Sequence, residues 1–251
     1  MLVSSLLLGV AGPAGAAADG WSGTLPVAAV PAGDRLQLED GREVRLAGIR
    51  VALADSRDGA TARLAHAARA ALAAQAEGAL VRPAAGAVAI DRYGALVAQV
   101  ERSDGLWLQG LLLEQGLAQV QTRPGETLRA ADMLALERAA RAAGRGMWRD
   151  PDFAPRSADR LADAIGSFRI VQGLVVRVAP TERYVYLNFG DDWRTDFTVR
   201  LRRTELGQDF ARSGIAIEGL AGRLVEVRGY VLEAGGPLIE VSHPEQIEVL
   251  R

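Results

Sequence analysis

The sequence predicts a two-domain chain of the α+β class, mainly β, with most of its helices in the first half. Three observations carry this. Residues 22–148 mix short strand-like runs with three Ala- or Leu-rich helical stretches. A break holding two prolines follows at 149–155. Residues 156–251 then show five strand-like runs interrupted by one helical interval. A length of 251 residues, 49% of them hydrophobic, is ample for two cores.

The opening residues "MLVSSLLLGVAGPAGAAADG" read as a secretory leader over 1–18. Small residues allow cleavage after Ala16 or Ala18, although the basic n-region is missing. The apolar run is too short to span a bilayer. The expectation is an exported protein, periplasmic or secreted, and not an integral membrane protein.

Composition excludes several chemistries. With no cysteine there is no disulfide, thiolate nucleophile or Cys-bound zinc. The two histidines, His66 and His243, are far apart in sequence, which argues against a His-based triad. His66 reads as an ordinary helix residue and His243, before Pro244, as a turn residue. The net charge of −2 lacks the basic surplus of a protein that coats nucleic acid, though a local basic groove remains open.

The elements of residues 19–150 follow in order. "AGDRLQLEDGREVRLAGI" (32–49) is a β-hairpin turned at Asp40-Gly41. Leu36, Leu38, Val44 and Leu46 alternate onto one face, so Arg45 points to the other. "TARLAHAARAALAAQAEG" (61–78) is a helix stopped by Gly78. Residues 79–101 are two short strands joined through Asp91–Gly94. "GLWLQGLLLEQG" (105–116) is a second helix. The third, 126–148, places Leu128, Met133, Leu134, Ala139 and Ala140 near one face. Residues 151–155 read as a linker.

Residues 24–148 resemble the thermonuclease (staphylococcal nuclease-like) family. The resemblance rests on "AGDRLQLEDGREVRLAGI", "DRYGALVAQV", "LLLEQGLAQV" and "LERAARAAGRGMW", in family order and spacing. It implies a five-stranded OB-type barrel with three helices, and in members with full motifs the calcium-dependent cleavage of DNA and RNA.

Carried over residue by residue, that chemistry is mostly lost. The first calcium carboxylate falls on Asp34 and the first phosphate-clamping arginine on Arg45, and both are present. The second carboxylate falls on Arg50. The hydroxyl-and-carbonyl ligand falls on Val51, the base glutamate on Leu53 and the second arginine on Ala95. Calcium takes six to eight oxygens. At an effective dielectric near 20, a unit charge ~4 Å from another contributes ~4 kcal/mol, so a cation at position 50 opposes metal. Loss of an acid–base group costs about 10²–10⁴ in rate.

The sequence leaves some roles open. Asp34 and Arg50 could pair in place of the metal. Arg45 is either a phosphate contact or a structural partner. Asp55 and Asp58 are either substitute acids or solvated acids near a helix start. Arg92 and Tyr93 match family positions that touch phosphate; the plainer reading is a tight turn with an exposed arginine.

In residues 156–251, five strands with a helix between the third and fourth is the order of an OB-type Greek-key barrel. Alternation in "RYVYLNFG" puts Val185, Leu187 and Phe189 on one face and Tyr184, Tyr186 and Asn188 on the other. In "DFTVRLR" it sets Phe197, Val199 and Leu201 against Thr198, Arg200 and Arg202. Tyr184, Tyr186, Arg200 and Arg202 thus form a candidate face for single-stranded nucleic acid, the tyrosines stacking bases and the arginines meeting phosphate.

The reading that follows is a catalytically inactive nuclease-like protein acting as a binding or assembly module, for nucleic acid or a protein partner, with no cofactor. The alternatives are an active phosphodiesterase, using Ca2+ or an atypical site, and a structural subunit of a larger complex.

Overall fold

The computed structural model describes residues 21–54, 58–84, 89–192 and 194–250. The expected leader and Asp55 lie outside these residues. The fold is mixed α+β and mostly β: two curled sheets in tandem with four α-helices.

The first sheet is built from β1 (Leu25–Ala32), β2 (Arg35–Leu38), β3 (Glu43–Leu46), β5 (Leu80–Pro83), β6 (Ala89–Ile90), β7 (Leu96–Ala98) and β8 (Val100–Arg102), in the order β6-β7-β3-β2-β1-β5-β8. Only Gln99 separates β7 from β8, so the path from β7 to β8, with β6 added at its edge, starts and ends on one bent strand and curls into a barrel. β3 pairs β7 in parallel; the other pairs are antiparallel. A separate ladder joins β4 (Ile49–Val51) to β9 (Ala118–Val120). Helices α1 (Gly59–Ala76), α2 (Leu108–Glu114) and α3 (Ala130–Ala142) complete this half.

The predicted hairpin is the β2–β3 pair. Gly41 sits at φ +88°, which a residue with a Cβ reaches only at a cost. Leu36, Leu38, Val44 and Leu46 all face the core. Gly116 ends α2 at φ +68°, and an added Cβ there would lie 2.2 Å from the Arg145 carbonyl oxygen. Helix α3 departs from expectation at its start. Arg129 takes a left-handed conformation (φ 61°), the helix begins at Ala130, and Leu128 is exposed. Ala139 is also exposed. The buried seam is Met133, Leu134, Glu137 and Ala140, so a glutamate occupies a core position.

The second sheet repeats the same connection. Its strands are β10 (Arg156–Ser157), β11 (Phe168–Leu174), β12 (Arg177–Pro180), β13 (Tyr184–Asn188), β14 (Thr198–Arg202), β15 (Leu224–Glu233), β16 (Pro237–Val241) and β17 (Ile247–Val249), with α4 (Gln208–Ser213) between β14 and β15. The path β11-β15-β16-β14-β13-β12 starts and ends on two stretches of one bent strand, and β14 pairs β16 in parallel. In both barrels, therefore, the first strand lies beside the second and fourth, and the third beside the fifth. The runs 168–180 and 237–250, each read as one strand from the sequence, are both broken in two. Val185, Leu187, Phe197, Val199 and Leu201 fill the second core as alternation predicts. Asn188 and Thr198 lie on the opposite face yet are buried.

Residues 151–155 are not a bare tether. Asp150 caps a short 3-10 turn, Pro151–Phe153, and Phe153 packs on a small cluster of Ala140, Met147, Trp148 and Ile170 drawn from both halves.

Candidate functional site

The cleft where the resemblance places catalysis is an open cavity of about 470 Å³ over the ends of β2, β3 and β4 and one side of α1. Its walls carry Arg35, Arg45, Arg50, Arg69, Arg123 and His66. Asp34 is the one carboxylate among the described lining residues. Burial raises the Asp34 carboxyl above the usual value, although Arg35 and Arg45 pull the other way.

Arg45 is held as a structural partner. Its two terminal nitrogens donate to the Glu126 carboxylate at 3.2 and 2.7 Å, and Asp91 lies 4.0 Å from Nε. Asp91 also orders its own turn by accepting from the backbone nitrogens of Tyr93 and Ala95. Ala95 is buried there, while Tyr93 is exposed with Arg92 stacked on its ring at 4.7 Å. Arg92 and Tyr93 stand outside the cleft lining.

The Asp34–Arg50 pair that the sequence left open does not form. β4 sets Arg50 directly across from Gln119, whose side-chain oxygen accepts from Nη1 at 3.4 Å. The guanidinium lies over the ring of Phe168, 5.5 Å from its centroid. Phe168 belongs to the second barrel, where it pairs with Tyr230 in register and edge-on, centroids 5.7 Å apart. Tyr230 lines the same cleft. Leu53, where the resemblance places the base, is 59% exposed. Asp58 is engaged in capping α1. It accepts from the Ala60 and Thr61 nitrogens and from the Thr61 hydroxyl, which lowers its pKa.

The candidate face of the second barrel is assembled but partly spent. Tyr184 pairs with Arg202 and Tyr186 with Arg200 across β13 and β14. Arg200 and Arg202 both lie over the Tyr184 ring, at 5.1 and 5.4 Å. Arg200 also donates to Glu240 at 2.6 Å, and Glu205 lies 3.7 Å from Arg202.

Residues 43–150 match the family model described as staphylococcal nuclease homologue. The first barrel is a staphylococcal nuclease-like domain. A comparison with curated proteins gives no match. The matched span starts at β3, so Asp34 precedes it.

The second barrel is docked on the nuclease-like domain by a buried charge network. Arg228 on β15 donates to Glu137 of α3 at 2.6 Å and to Glu226 at 3.1 Å. Glu137 also accepts from the Val120 nitrogen, and Glu226 from Gln172 and Arg141. Arg138 and Glu248 pair at its edge. Burial alone would lower the Arg228 pKa, but Glu137 and Glu226 outweigh it and hold it raised. Beside the network, His243 shares a hydrogen bond of 2.8 Å with Thr122 of the nuclease-like domain. Burial lowers its pKa to about 4.

Sequence reasoning missed Arg35, Arg69, Arg123 and Tyr230 as cleft residues, and Phe168 as the ring under Arg50. Strand alternation in "VRGYVLE" does mark Tyr230 as outward-facing. What it faces depends on how the barrels dock.

Proposed function

We propose that this protein binds single-stranded nucleic acid without cutting it, along a path from the arginine-lined cleft of the nuclease-like domain onto the second barrel. The observation that carries the reading is the placement of Arg50. It stands where family catalysts keep a calcium carboxylate, and it is committed to Gln119 and to the Phe168 ring.

The donor set does not suit calcium. One carboxylate, itself pushed toward the neutral form, lines a cleft with five arginines, whereas calcium takes six to eight oxygens. Among the described residues no group of three or more His, Asp or Glu side chains is placed to hold a metal. Leu53 offers no base. A cationic cleft favours a phosphate backbone instead.

The second barrel supplies the continuation. Phe168 pairs with Tyr230, Glu240 with Arg200 and Arg200 with Tyr186, and the Val231–Ile239 pair sets Tyr230 beside Glu240, so these residues share one outer face of the sheet. With Tyr230 47% exposed, the face offers aromatic stacking next to the cleft.

The test is a salt-titrated binding assay with a labelled single-stranded oligonucleotide, in EDTA and in calcium. Binding is expected in both, with no cleavage products. Removing Arg50 or Arg123 should lower the salt slope by about 0.7 each. Calcium-dependent cleavage abolished by Asp34→Ala overturns the non-catalytic part. Failure to bind at low salt overturns the nucleic-acid part and leaves protein assembly as the better account.

A further inference from the structure

The outer face of the second barrel holds a pocket of about 400 Å³, within the range of small-molecule sites. Two rows of paired residues form its floor. Arg177, Asn188, Thr198 and Leu238 lie side by side across β12, β13, β14 and β16. Ala179, Tyr186 and Arg200 form the next row. Ala234 closes one side.

Three features of this pocket have no structural use within the fold. Thr198 is 7% exposed, and its hydroxyl oxygen is buried with no hydrogen-bond partner among the described residues. Such a group costs stability unless something else satisfies it. Asn188 beside it is a second buried polar side chain on an outward face. Arg177 is exposed at the rim and, among the described residues, makes no ion pair or side-chain hydrogen bond, whereas Arg200 is already neutralised by Glu240. The remaining walls are apolar or aromatic: Ala179, Leu238 and Tyr186.

We propose that this pocket binds one nucleotide. Its base lies against Tyr186 and Leu238, with polar edge atoms meeting the Thr198 hydroxyl and Asn188, and its phosphate meets Arg177. The unpaired hydroxyl calls for a ligand with hydrogen-bonding edges. The apolar walls call for a flat ring, and the rim guanidinium, unpaired among the described residues, calls for an attached anion. The inference rests on the nucleic-acid reading only for the class of ligand, because the pocket is separate from the cleft.

Isothermal titration of the full chain with each of the four common ribonucleoside 5′-monophosphates, and with the matching nucleosides, tests it. At least one monophosphate is expected to bind. Thr198→Val should weaken that binding about three- to tenfold, the effect of one hydrogen bond, while leaving the melting temperature unchanged or higher because an unsatisfied hydroxyl is removed. Arg177→Ala should weaken the monophosphate about tenfold or more and leave the nucleoside unaffected. A chain that binds no monophosphate at millimolar concentration, or a Thr198→Val variant that binds as the parent does, overturns the proposal. Oligonucleotide binding without mononucleotide binding overturns the pocket alone. Mononucleotide binding without oligonucleotide binding overturns the cleft-to-barrel path alone.

Discussion

Arg228 of the second barrel and Glu137 of the nuclease-like domain form an ion pair of 2.6 Å in which both side chains are almost wholly buried. Glu137 occupies a seam position of α3 that an apolar residue would normally fill. The charge is tolerated there because the Val120 nitrogen and Arg228 satisfy its two oxygens. Docking of the barrels therefore completes the core of the first one.

This sets the sign of two substitutions. Glu137→Ala strands Arg228 without its nearest carboxylate and should cost about 3–5 kcal/mol. Glu137→Leu combined with Arg228→Met should cost much less, since a buried pair can be replaced by apolar volume at little net expense. Urea unfolding of the two variants checks the prediction, and equal losses would contradict it.

Glu126, outside the cleft lining, neutralises Arg45, which lines it. Glu126→Gln keeps the shape and removes the charge, so oligonucleotide affinity should rise a few-fold. The salt slope should steepen by about 0.7, one more phosphate contact. An unchanged slope would mean that Arg45 stays out of reach of the ligand.

Calcium should leave the melting temperature where it is, because a ligand stabilises only as far as it binds the native state. Arg50→Asp should recover weak binding at most, since Val51 has no hydroxyl and Leu53 no side-chain oxygen. Differential scanning fluorimetry across a calcium series decides this. A clear rise in the parent protein that Asp34→Ala removes would sink it.

His243 makes stability depend on pH. Its native pKa, about 4, lies below the ordinary value of 6.5 because burial opposes the charged ring, while Asp209 and Glu126 pull weakly the other way. The native state thus binds fewer protons than the unfolded chain between those values. The His243 contribution is intact above pH 6.5 and is lost as pH falls toward 4, on the order of 3 kcal/mol in all. Denaturant midpoints measured from pH 7 to pH 4 should fall more steeply for the parent than for His243→Asn. Parallel curves would show that His243 does not govern the decline.

The barrels themselves were legible in the sequence. Alternation at Leu36, Leu38, Val44 and Leu46, and again at Val185, Leu187, Val199 and Leu201, is a local property of the strands. Gly41, Gly78 and Gly116 mark turns and helix ends through backbone freedom that one residue carries alone. The side chains at the four positions that the resemblance singles out were equally legible, since Arg50, Val51, Leu53 and Ala95 can be judged one at a time by what atoms they bear. Only the tertiary structure decided their partners. Arg45 meets Glu126, 81 positions away, and Arg50 meets Phe168, on the other barrel. Glu137 and Arg228 satisfy each other across 91 positions. Side-chain charge and periodicity say which residues need a partner or a core. Which partner each one finds depends on how two closed sheets dock, and that packing is a property of the whole chain, invisible in any short stretch of it.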